Sequence, residues 1–181
     1  EALKRLERSG ELVRRSHRTV ELAAFPRAAW AECLALSRSL RGTSLYRDAS
    51  GRPARLTALL ERIEKAAPGG VALGGAIAAR HWDRGFDLLG LPRLDLCVHV
   101  PGKDLDLDWL RRVDPALRPA PAGDVGAVLA VHPVRRADAG FEPRKGRTLP
   151  VADPVETLLD LHELGLYGQG EDLIRRLESP R

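Results

Sequence analysis

The chain has 181 residues, of which 44% are hydrophobic and 30% are charged. This balance predicts a folded globular protein rather than a disordered one, and no apolar run approaches the roughly 18 residues that a membrane span needs. The net charge of +4 favours polyanionic partners only weakly, because acidic and basic residues are interspersed along most of the chain. Cys33 and Cys97 are too far apart for a metal-ligand spacing, so we expect reduced thiols and a cytoplasmic location.

The start of the chain has the pattern of the last part of a winged helix-turn-helix, with a recognition helix followed by a wing. Leu3 and Leu6 lie on one face of a predicted helix, and Gly10 fits a left-handed cap at its end. Val13 and Val20 flank a basic turn, which predicts a two-stranded hairpin. The chain contains no Met and begins within this helical pattern, so we expect that it lacks its natural beginning and the earlier helices of such a module.

Basic residues are concentrated in this helix and hairpin, as phosphate contact requires. The predicted nucleic-acid-binding residues are Lys4, Arg5, Arg8, Arg14, Arg15, His17 and Arg18. The alternative interpretation is a solvated basic helix and hairpin that bind nothing.

The sequence divides into three predicted parts. Residues 1–24 form the winged-helix portion, residues 25–52 form a connecting segment, and residues 53–181 form an α+β domain. The connecting segment is predicted to contain a short helix over 27–41, followed by a loop rich in Gly, Ser and Pro.

Within the α+β domain, helices and strands follow one another at short intervals. Apolar residues at i, i+3, i+4 and i+7 from Leu56 predict an amphipathic helix that ends before Pro68. The small residues of 71–86 favour a buried helix. The remaining predicted elements are a strand over 93–100, a short helix over 107–113, and strands over 125–134 and 148–152.

The end of the chain has a strong helix-start signal. Asp153 is a predicted N-cap, followed by Pro154 at the first helical position and Glu156 three residues after the cap. The apolar stripe of this helix is predicted to contain Val155, Leu158 and Leu159. Gly165 is expected to end the helix, and a last helix is predicted over 171–178.

A second basic surface precedes this helix. It is predicted to extend a DNA footprint or to face an acidic partner, and its alternative is a solvated loop. Its residues are Arg135, Arg136, Arg144, Lys145 and Arg147.

One arrangement resembles a nucleotidyltransferase scaffold. Gly74-Gly75 is followed, twenty residues on, by Asp95 in a predicted strand. Two-metal chemistry needs carboxylates at alternate strand positions, but the alternate position here is Cys97, a poor Mg²⁺ ligand. The pattern therefore predicts a degenerate scaffold with a structural Asp95, and no enzyme activity, catalytic residue, metal or cofactor.

Three other groups of residues are weaker candidates for a site. A lone His81 on a small-residue helix is more often structural than catalytic. His162, Asp160 and Glu163 are too close along one helix to be expected to converge on a metal. The alternating Asp104, Asp106 and Asp108 lack the glycine and distal glutamate of a calcium loop and predict a solvated helix start.

Two stretches resemble the AbiEi family, the antitoxin and transcriptional regulator of type IV toxin–antitoxin systems. ALKRLERSGELVRRSHRTVELA is similar to the end of that family's winged helix, and LPVADPVETLLDLHELGLYGQGEDLIRRL is similar to its closing signature. The resemblance implies a regulator that binds double-stranded operator DNA, represses its own operon and antagonises a nucleotidyltransferase-like toxin indirectly, with no membrane partner. The alternatives are an inactive nucleotidyltransferase-like protein and a protein-interaction module that neutralises a toxin without DNA binding.

Overall fold

The computed structural model describes residues 2–16, 19–53, 55–102 and 104–178. Within these residues the helices are α1 (Ala2–Arg8), α2 (Arg27–Leu40), α3 (Leu56–Ala66), α4 (Gly75–Trp82), α5 (Asp108–Val113), α6 (Pro154–Glu163) and α7 (Tyr167–Glu178). The strands are β1 (Leu12–Arg14), β2 (Val20–Leu22), β3 (Ser44–Asp48), β4 (Val71–Leu73), β5 (Leu94–His99), β6 (Leu117–Ala120) and β7 (Leu129–Val134). The fold is α+β, as predicted. None of the helices in these ranges has the length and apolar character that a membrane crossing requires.

Five of the strands form one mixed sheet in the order β4-β5-β7-β3-β6. The central strands β5 and β7 are parallel, with Leu94 opposite Leu129, and the other three pairings are antiparallel. β1 and β2 form a separate two-stranded sheet near the start of the chain.

The strand β3 was not predicted. Its residues lie in a stretch that the loop-forming residues around it led us to interpret as a loop, yet β3 pairs with β7 on one side and β6 on the other. Its buried Leu45 is one of the few apolar residues in this stretch, so the local pattern is weak. The segment 25–52, predicted as a connection, thus contributes α2 and an internal strand of the main sheet.

The two faces of the sheet differ in chemistry because side chains alternate along each strand. Leu94, Leu96 and Val98 of β5 belong to the largest apolar core, together with Ile63 of α3 and Leu110 of α5. Intervening positions on β5 face the opposite side, towards α6. This second side carries the polar residues described below.

Three predicted element boundaries need correction. Residues 71–86 form the strand β4 and then α4, rather than one helix, because the Gly74-Gly75 pair separates them and β4 pairs with β5. The strand predicted over 125–134 begins only at Leu129. In place of a strand over 148–152, Val151 forms isolated bridges with Leu73 and Glu142.

The helix start at α6 is confirmed, but its predicted stripe is partly wrong. The Asp153 side chain accepts hydrogen bonds from the backbone N–H groups of Val155 and Glu156. Val155 is 47% exposed, since the buried face of α6 includes the polar Thr157 and Asp160 beside its leucines. Apolar periodicity in a sequence cannot identify core positions that are occupied by polar residues.

Candidate functional site

The helix–hairpin module consists of α1, β1 and β2. Gly10 has φ of +75°, in the left-handed region that glycine favours, and the Glu11 N–H donates to the Leu6 carbonyl at 3.0 Å. Across the hairpin Leu12 is paired with Leu22, and the buried side chain of Leu12 anchors β1. The predicted glycine turn and hairpin are therefore present.

All the predicted nucleic-acid-binding side chains of this module that the structure describes are exposed: Lys4, Arg5, Arg8, Arg14 and Arg15. The predicted contacts His17 and Arg18 lie outside the described residues.

Three of these arginines form ion pairs within the chain. Arg5 binds Glu32 at 3.0 Å, Arg14 binds Glu7 at 2.9 Å, and Arg15 binds Glu21 at 2.6 Å. Exposed ion pairs of this kind contribute at most about 1 kcal/mol each, so a phosphate group can compete with the glutamates.

Most of the predicted second basic surface is also paired internally. Arg144 and Arg147 approach Glu64 at 3.3 Å and 3.6 Å, and Arg136 binds Asp153. Arg135 and Lys145 are exposed. This surface therefore offers fewer uncommitted charges than the sequence indicates.

A cluster of buried ionisable side chains lies on the α6 side of the main sheet. His132 Nε2 is 3.2 Å from Asp95 Oδ1 and 3.4 Å from Asp160 Oδ1, and all three side chains are fully buried. We call Asp95, His132 and Asp160 the buried polar cluster.

The parallel pairing of β5 and β7 brings the first two members together. Cys97 is opposite His132 in the register, and Asp95 lies two positions earlier on the same face of β5. Asp160 reaches the cluster from α6, and its Oδ2 accepts the Gly75 N–H at 2.7 Å.

The Gly74-Gly75 pair is required by this close packing. A Cβ on Gly74 would overlap the Asp160 carboxylate, and a Cβ on Gly75 would overlap that of Asp95. Gly75 also has φ of +53°. In this structure the backbone N–H of Gly75 binds a carboxylate of the chain itself.

Two arginines bind the carboxylates of the cluster. Arg93 Nε donates to Asp95 Oδ1 at 2.9 Å, and Arg41 Nη2 donates to Asp160. Burial lowers the pKa of the Arg41 guanidinium, but the negative charge of Asp160 and other nearby groups outweighs burial and raises it overall. Arg41 therefore remains a buried cation.

Glu163 lies at the outer edge of the cluster and orients His132 through Thr43. Thr43 Oγ1 donates to Glu163 Oε1 at 3.0 Å and lies 3.0 Å from His132 Nδ1. His132 Nε2 faces the carboxylate oxygens of Asp95 and Asp160, so that nitrogen acts as a donor.

This arrangement is suited to holding the fold together more than to chemistry. The donor atoms of the cluster lie within 4.8 Å of one another, as in a metal site, but guanidinium groups already bind both aspartates. The three side chains are fully buried and so are not open to a substrate at the surface. Together with Arg41, the cluster connects the end of α2, both central strands and α6.

Asp95 stands out in the sequence, but its partners in the cluster do not. His132 lies inside an apolar run, and Arg41 follows a helix in a stretch that we interpreted as a connection. A polar residue embedded in an apolar stripe, as Asp160 is in α6, was the available signal.

Of the group His162, Asp160 and Glu163 considered in the sequence, Asp160 and Glu163 lie at the buried polar cluster and His162 does not. His81 is exposed beside Trp82, and His162 packs against Tyr167 with ring centroids 4.9 Å apart. Asp106 accepts the Asp108 N–H at the start of α5, in keeping with the predicted helix start.

Comparisons of this chain with protein-family models, curated proteins and solved structures found no significant match. Its function is therefore inferred from its own residues.

Proposed function

We propose that this protein is a DNA-binding transcriptional regulator that represses its own operon and acts as the antitoxin of a type IV toxin–antitoxin system. The observation that carries the proposal is the set of exposed basic side chains on the helix–hairpin module. They project from adjacent helix and strand elements, as contact with successive phosphates requires. The antitoxin part comes from the resemblance to AbiEi proteins.

In this proposal the module is the last part of a winged helix. α1 presents Lys4, Arg5 and Arg8 to the duplex, while the hairpin carries Arg14 and Arg15 to the phosphate backbone. The glutamates that now bind Arg5, Arg14 and Arg15 release them when phosphate groups approach, since each pair is exposed.

The test is fluorescence anisotropy with a duplex from the promoter of the protein's own operon and with a random duplex, over a range of salt concentrations. We expect the double substitution Arg14→Ala and Arg15→Ala to weaken binding to both duplexes and to reduce the salt slope by about two units, one for each lost phosphate contact.

The matched control is the double substitution Arg111→Ala and Arg112→Ala. It removes the same charge from two exposed arginines on α5 and should change the affinity for both duplexes and the salt slope much less. Equal effects of the two double variants would mean that DNA affinity depends only on the net charge of the chain, which would contradict the proposal.

A protein-interaction module without DNA binding is the second candidate. The ion pairs of Arg5, Arg14 and Arg15 within the chain favour it, because they satisfy these side chains without a ligand. Operator affinity no better than that for random duplex, combined with rescue of growth when the chain is co-expressed with a neighbouring nucleotidyltransferase-like toxin, would favour this candidate.

An active nucleotidyltransferase has less support. The backbone N–H of Gly75, where a phosphate would bind in such a scaffold, donates to Asp160, and Asp95 is bound by Arg93. Incubation with Mg²⁺ and labelled nucleoside triphosphates tests it, and a labelled product that disappears in Asp95→Ala would promote this candidate.

A further inference from the structure

The helix α2 has one packed face and one apolar face that the described residues leave largely exposed. On the packed face, Trp30 contacts the apolar cluster formed by α6 and α7. Along the other face, Ala29, Cys33, Leu36 and Leu40 recur at spacings of four, three and four, the pattern of a coiled-coil seam. Leu36 is 55% exposed and Leu40 is 69% exposed.

This seam forms one wall of a groove of about 500 Å³. The opposite wall comes from the end of β7 and from α6, and it includes Pro133, Val134 and Leu159. The groove is therefore mainly apolar along its length. A helix laid over it would contact both walls.

The two ends of the groove carry opposite charges. Glu32 lies towards the N-terminal end of α2, where its only described ion pair is an exposed one with Arg5. Arg135 lies at the C-terminal end, since its Nη1 is 3.8 Å from the Cβ position of Gly42, just after the helix. Within the described part of the chain, Arg135 forms no ion pair.

We infer that this groove binds the α2 helix of a second copy of the chain, in an antiparallel two-fold dimer. A two-fold interface uses the same surface on both partners, so each end of one groove meets the opposite end of the other. With the axis near Leu36, Leu40 of each copy packs beside Cys33 of the other, and Glu32 of each copy faces Arg135 of the other.

The size of the seam sets the strength of the dimer. Two exposed leucines, a half-buried cysteine and one intermolecular ion pair at each end form an interface at the small end of the known range. We expect a dissociation constant between about 1 and 100 μM. The dimer does not depend on the DNA-binding proposal, and its test contains no DNA.

The experiment is sedimentation velocity of the purified chain over a concentration series. We expect Leu36→Glu and Leu40→Glu each to raise the dissociation constant by at least about tenfold, because each places a carboxylate in the apolar seam. Leu89→Glu and Val125→Glu are matched controls, since both side chains are fully exposed and lie away from the groove. They should leave the dissociation constant unchanged.

Charge reversal tests the geometry independently of apolar burial. Glu32→Arg and Arg135→Glu should each weaken the dimer, and the double variant should restore it, because the reversed charges then face each other. A chain that is monomeric at about 500 μM, well above the expected constant, would overturn the inference. So would a dimer that the seam variants leave intact, or one that the double charge reversal does not restore.

Discussion

The carboxylate of Asp160 binds groups from three separate parts of the chain. It accepts hydrogen bonds from Arg41 after α2 and from the Gly75 N–H at the start of α4, and it lies 3.4 Å from His132 Nε2 on β7. A buried carboxylate is stable only when it is paired and hydrogen-bonded, and these partners meet that condition. Loss of this carboxylate would destabilise the fold because the Arg41 guanidinium would remain buried with fewer partners.

We expect Asp160→Ala to lower the free energy of unfolding by about 3–5 kcal/mol, the usual cost of breaking a buried ion pair from one side. Urea denaturation followed by circular dichroism measures the change. Asp87→Ala, which removes an exposed carboxylate, is the control and should change stability by less than about 0.5 kcal/mol. A loss below about 1 kcal/mol for Asp160→Ala would mean that the cluster does not stabilise the fold.

The two cysteines should react with disulfide reagents at very different rates. Burial raises the pKa of the Cys97 thiol well above its ordinary value, and burial followed by the negative charge of Glu156 raises that of Cys33. Because the thiolate is the reactive form, a raised pKa leaves less of it at a given pH.

In dilute native protein at mildly alkaline pH, we expect a colourimetric disulfide reagent to modify Cys33 slowly and Cys97 not at all, since Cys97 is completely buried. Both thiols should react once the chain is unfolded in guanidinium. Rapid modification of two thiols per native chain would show that the sheet opens around Cys97.

At the scale of elements, the start of α4 depends on two residues without side chains. Gly75 combines a positive φ with direct contact against Asp95, so a methyl group there meets both backbone strain and a collision. The glycine pair is thus explained by the packing of α4 against β5 and α6.

Gly75→Ala should therefore lower the free energy of unfolding by more than about 2 kcal/mol, through the strain and the collision together. Gly69→Ala is the matched control, because a Cβ there meets nothing within 4 Å. Thermal denaturation of the two variants measures the difference. Equal stability would indicate that Asp95 can move away from α4 at little cost.

At the scale of the whole molecule, the region after the helix–hairpin module is one folding unit. β3 lies between β7 and β6, and Arg41 precedes it and binds Asp160. A cut near residue 53 would therefore remove an internal strand and a buried cation together. The boundary that the sequence indicated between residues 52 and 53 therefore passes through this unit.

We predict that a fragment of residues 53–181 will not fold, whereas one of residues 25–181 will. The shorter fragment leaves β6 and one edge of β7 without hydrogen-bond partners. Amide NMR spectra measure this directly: dispersed peaks are expected for the longer fragment and collapsed peaks for the shorter one. A well-dispersed spectrum of residues 53–181 would contradict the prediction.

Local chemistry was enough to predict several features from the sequence. Four features depend only on residues that are close in sequence. They are the cap and proline at the start of α6, the glycine turn after α1, the amphipathic α3 and the strand β5. Such signals act through hydrogen bonds and apolar periodicity that neighbouring residues determine by themselves.

Tertiary structure alone decided the position of β3 and the composition of the buried polar cluster. β3 is stabilised by partners 69 to 87 positions later in the chain, so its own residues carry only a weak strand signal. Asp95, His132 and Asp160 meet only because β5 pairs in parallel with β7 and α6 packs across both strands. A polar residue in an apolar stripe indicates a buried partner, but only the packing of distant elements determines which partner it has.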